Sequence, residues 1–75
     1  MVKFINNWMF ASQMWSNAEP SPVAINVREI NNITEMRNKQ FGAHVIVLLK
    51  NGTAIPIEGN IIDVLAKFQE HLINF

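Results

Sequence analysis

A chain of 75 residues without cysteine has room for one small domain held by its own apolar core, which removes disulfide scaffolds, thiol nucleophiles and cysteine-based zinc sites together. Six Lys plus Arg balance six Asp plus Glu, and a net charge of zero excludes both the long-range positive field of a strong nucleic-acid binder and an acidic tail. With 49% hydrophobic and 16% charged residues the chain is too apolar for disorder, yet its longest apolar run, Val45 to Leu49, falls far short of the roughly 20 residues that span a bilayer.

Read in chain order, Val2 to Ile5 is a candidate first strand. Residues 6–21 are ambiguous, because Phe4, Trp8, Ala11 and Trp15 would also suit one helical face. Asn6 and Asn7 interrupt the apolar patch around Trp8, so no signal-peptide core forms, and a cytoplasmic protein without a membrane segment is expected. Glu19-Pro-Ser-Pro22 ends this segment. Pro22 to Asn26 and Asn32 to Arg37 read as strands joined by Val27 to Ile30, which suits a helical turn, and Asn38 to Gly42 is the next turn.

Val45-Ile-Val-Leu-Leu49 and Thr53-Ala-Ile-Pro-Ile57 flank Asn51-Gly52, the pattern of a hairpin with a two-residue type I′ turn. That register pairs Lys50 with Thr53 and Ile46 with Ile57, placing Ile46, Leu48, Ile55 and Ile57 on a core face and Val45, Val47 and Leu49 on a second apolar face. Pro56 marks the second strand as a sheet edge. After Gly59 the period changes: Ile61, Val64, Leu65, Phe68 and Leu72 predict an amphipathic helix from Asn60 to Ile73, capped by Asn60, with Asp63 and Lys67 as an i, i+4 pair and His71 complementing the helix dipole. The fold expected is α+β, a small antiparallel sheet of four to five short strands with one C-terminal helix. It forms a single domain over residues 1–75: an apolar segment over 1–21, the sheet over 22–58 and the helix over 60–73.

The run Val23-Ala-Ile-Asn26, Ile30, Ile33, Val45 through Gly52, Ile55-Pro-Ile57, Val64-Leu65 and Phe68 resembles the small flagellar FlbD/SwrD-type proteins and similar short bacterial and phage reading frames over residues 22–72. Trp8 to Pro20 looks like an insertion relative to that pattern, which is built of core and turn residues. The resemblance implies a fold and carries no catalytic motif.

Chemistry-bearing constellations are sparse. His44 and His71 lack metal-ligand spacing, each glycine has a turn or cap role, and the carboxylates and serines are scattered, so no catalytic residue, metal or cofactor is expected. Arg28, Arg37, Lys39 and Lys50 are a candidate basic patch, but Glu29 and Glu35 stand near the arginines and nucleic acid is not the favoured partner. Trp8-Met9-Phe10 with Met14-Trp15 is the notable segment, because aromatic and Met enrichment marks interface centres. Together with Val45, Val47 and Leu49 it is the expected partner or oligomer interface. The function expected is a non-enzymatic homo-oligomeric binding protein, phage or bacterial, that sequesters or inhibits a host factor or a small ligand; the alternatives are a flagellar-type regulatory adaptor and a weak nucleic-acid binder.

Overall fold

Alternating apolar residues become six strands between residues 3 and 57, two of them within the first thirteen residues. The computed structural model describes residues 2–74, and in it β1 (Lys3–Ile5), β2 (Trp8–Gln13) and β3 (Ser21–Asn26) are followed by a 3₁₀ turn (Val27–Glu29). Next come β4 (Ile30–Asn38), β5 (Gly42–Leu49), β6 (Ala54–Ile57) and the helix α1 (Ile61–Asn74). All strand pairings are antiparallel in one six-stranded sheet, so the fold is α+β as expected, with one strand more. The additional order comes from residues 6–21. Asn6 adopts φ 53, a left-handed conformation that Asn tolerates, and turns the chain between the paired Ile5 and Trp8. Asn7 then ties this turn to the end of β3: its Nδ2 donates to Asn26 Oδ1 (2.9 Å) and its carbonyl accepts the Val27 N–H (2.8 Å).

Along the path β3, β2, β6, β5, β4 the two outermost strands are consecutive in sequence and joined by only three residues. A flat sheet cannot satisfy that connection, so the sheet curls until its two ends meet at the 3₁₀ turn. β2 holds the curl together. One side of it pairs with β3 along its length; the other meets β1 at Trp8–Phe10 and β6 at Gln13, opposite Ile57. Met9, Ala11 and Ile25 from one half of the curl and Ile33, Val45, Val47 and Ile57 from the other fill the interior. Val2 and Val64 complete it. Each fully buried side chain contributes about 1.5–3 kcal/mol of hydrophobic stabilisation.

The β5–β6 hairpin differs from the expected one by a single residue of register, and that residue exchanges the two faces of β5 while Ile55 and Ile57 keep the core side. Leu49 donates to the Thr53 carbonyl (2.8 Å) and accepts from Gly52 N–H (3.0 Å), giving a three-residue loop in which Gly52 takes φ 92. Asn51 is not left-handed, and its side chain caps the loop by accepting the Thr53 N–H (2.9 Å). Val45 therefore opposes Ile57 and Val47 opposes Ile55, so Val45 and Val47 are core while Ile46 and Leu48 turn to the outer face. β6 is also not an edge. Pro56 turns its missing N–H toward β2, where its carbonyl accepts the Met14 N–H (2.9 Å), so a proline is tolerated between two neighbours.

The Asn60 side-chain oxygen accepts the N–H of Ile62 (2.9 Å) and of Asp63 (3.3 Å), so the helix begins where its cap predicts. It crosses the open end of the curl. Val64 is its buried residue, flanked by Ile61 and Phe68, and the Phe68 ring lies 5.5 Å from that of Phe4. Lys67 reaches the Val2 carbonyl (3.2 Å). His71 stacks on Phe4 at 5.4 Å and donates from Nε2 to the Asn6 carbonyl, so it fastens the helix to the β1–β2 turn in addition to any dipole role.

Candidate functional site

The expected interface residues divide by strand parity. Met9, Val45 and Val47 are buried within the chain, because the curled sheet supplies its own second layer, and they leave the candidate surface. Leu49 packs partly against the core and Met14 is half-buried. Trp8 and Phe10, neighbours on the outer face of β2, remain 45% and 40% exposed. Ile5 opposes Trp8 from β1 and is also exposed, while Ala24 opposes Phe10 from β3 and is too small to cover its ring. Trp15 is exposed beyond the end of β2 and donates from its indole N–H to Ser21 Oγ (2.8 Å).

Sequence reasoning missed a second apolar surface, on the helix. Ile62, Leu65, Gln69, Leu72 and Ile73 occupy roughly 100° of its circumference, whereas Asp63, Lys67 and Glu70 cluster within roughly 60° elsewhere. Ile62 and Ile73 are 74% and 76% exposed, and Leu65 and Leu72, expected in the core, are also exposed. The signal was present in the doublets Ile61-Ile62 and Leu72-Ile73, which widen the apolar arc beyond what one sheet contact can cover. Met36 on β4 is a further exposed apolar residue, on neither of these elements.

The proposed basic patch does not assemble. Lys50 N–H donates to the Glu29 carbonyl (2.8 Å), which puts Lys50 near Arg28 at one end of β4. Arg37 and Lys39 lie at the other end, about 23 Å along the strand. His44 is buried, with Nδ1 donating to the Gly42 carbonyl (3.1 Å) and the ring edge-on to Phe41 at 5.1 Å. A shallow groove between β1 and α1 is bordered by Lys3, Phe4, Ile5, Lys67, Glu70 and His71. Lys67 and His71 supply polar contacts that hold the helix there, beside the packing of Phe68 on Phe4. Among the described residues no three metal-ligating side chains converge, and no helix is long and apolar enough to cross a membrane. Compared with known proteins, the chain matches no family model, no curated protein and no solved structure.

Proposed function

We propose that the protein is a non-enzymatic binding module that works as a homo-oligomer and offers apolar outer surfaces to a macromolecular partner. The observation that carries the reading is the helix stripe: Ile62 and Ile73 are three-quarters exposed on a helix that already buries Val64 against its own sheet. Such surface is held against water at a cost unless something covers it. The Trp8–Phe10 pair on the outer sheet face adds a second, aromatic contact area of the kind that anchors protein interfaces. A net charge of zero suits recognition by shape and apolar contact, since long-range charge neither steers nor repels a second copy.

Light scattering on the purified chain tests the reading. The expected result is a species at least twice the 8.6 kDa chain mass at micromolar concentration. A well-folded monomer up to about 100 µM would overturn the homo-oligomer.

A further inference from the structure

We infer that two copies of the chain join edge to edge through β4, antiparallel, about a two-fold axis at Met36. The inference rests on the reading that the protein self-associates, and specifies where and in which register. β4 is nine residues long, contains no proline and, among the described residues, pairs on one side only, with β5. Every residue from Thr34 to Asn38 is exposed.

Hydrogen-bond parity defines what the free edge presents. The Leu49 N–H donates to the Thr53 carbonyl, so in β5 the odd residues turn their backbone groups to β6 and the even ones, His44, Ile46 and Leu48, turn theirs to β4. The partners of these even residues, Met36, Thr34 and Asn32, are thereby satisfied inside the sheet. The N–H and C=O groups of Ile33, Glu35 and Arg37 point away from it.

Among the two-fold registers centred on the three middle residues of the exposed Thr34–Asn38 stretch, charge then selects one. Centred on Glu35, the pairing sets Glu35 against itself; centred on Arg37, it sets Arg37 against itself; both place like charges directly opposite. Centred on Met36, Glu35 of each copy meets Arg37 of the other, so two opposite-charge pairs form at once between residues that make no ion pair in the chain among the described residues. Met36, 47% exposed, meets Met36 of the second copy at a non-hydrogen-bonded position, where Cα atoms approach to about 4.5 Å. The side chains that deter random edge pairing thus favour this one.

The chain has no cysteine, so Met36→Cys reports the axis directly. The expected Cα spacing suits a disulfide, and in a glutathione buffer this variant is expected to cross-link at least about tenfold faster than Thr34→Cys, whose two copies stand about 14 Å apart in the same register. Glu35→Arg is expected to weaken the dimer about tenfold or more by light scattering, and Glu35→Arg combined with Arg37→Glu to return it within about threefold, with circular dichroism confirming that each variant folds. An oligomeric wild type in which Thr34→Cys cross-links as fast as Met36→Cys, or in which Glu35→Arg has no effect, overturns the β4 interface and leaves the homo-oligomer standing. A wild type that is monomeric at about 100 µM overturns both.

Discussion

At Gly59 the chain leaves β6 and enters the helix with φ 148, a conformation that side chains rarely adopt, and a Cβ there would lie 3.2 Å from Val64 Cγ2. Backbone and packing reasons coincide, because Val64 is the residue through which α1 enters the core. Gly52 differs: φ 92 is again positive, but nothing lies within 4 Å of its Cβ position. Gly59→Ala is therefore expected to cost about 2 kcal/mol and Gly52→Ala about 1 kcal/mol. Urea denaturation of the two variants measures the difference, and equal costs would show that the helix gives way at Val64 without penalty.

Among the elements, β5 and α1 show how neighbouring residues acquire opposite fates. Val47 is fully buried opposite Ile55 and Ile33, while Ile46, one position away, faces outward opposite Pro56. Val47→Ala should cost about 2 kcal/mol and Ile46→Ala less than half of that, although Ile46 loses more atoms. The reverse order in thermal melts would restore the two-residue turn and the faces it implies. The helix makes the same distinction across its circumference: Phe68→Ala removes the ring packed on Phe4 and should cost about 2 kcal/mol. Ile62→Lys and Ile73→Lys should each change stability by less than about 0.5 kcal/mol, since those side chains are already in water. A large loss from either lysine would mean that the stripe is covered within the chain.

The whole molecule depends on β2. It contributes Met9 and Ala11 to the core, pairs with the full length of β3 and carries the contact to β6 that closes the curl. A chain beginning at Ser21 keeps the hairpins β4–β5 and β5–β6 and the helix but exposes Ile25, Val45 and Ile57. It is expected to lose cooperative thermal unfolding, and a sharp melting transition by circular dichroism would show that residues 1–20 are dispensable. The apolar character of that segment was legible from Trp8 to Trp15, but its role was not. Alternation at Met9 and Ala11 is too short to separate strand from helix, and a segment flanked by Pro20 and Pro22 gives no sign of which strand it joins.

What the residues determine by themselves are the local choices. The 3.6-residue period of α1, the Asn60 cap and the strand runs either side of the 3₁₀ turn each follow from interactions within a few residues, and each stands where the pattern puts it. Register, curl and exposure were decided by the tertiary structure. Lys50-Asn51-Gly52 accommodates a two-residue or a three-residue loop at similar local cost, and the choice falls to whichever register buries Val45, Val47 and Ile57 together against β2 and α1. The curl of the sheet buries the Val45 and Val47 face within the chain, and the helix leaves the surplus of its apolar arc outside instead. Burial depends on contacts between residues distant in sequence, and a period of two or of 3.6 states only which side chains share a face, never which face is inside.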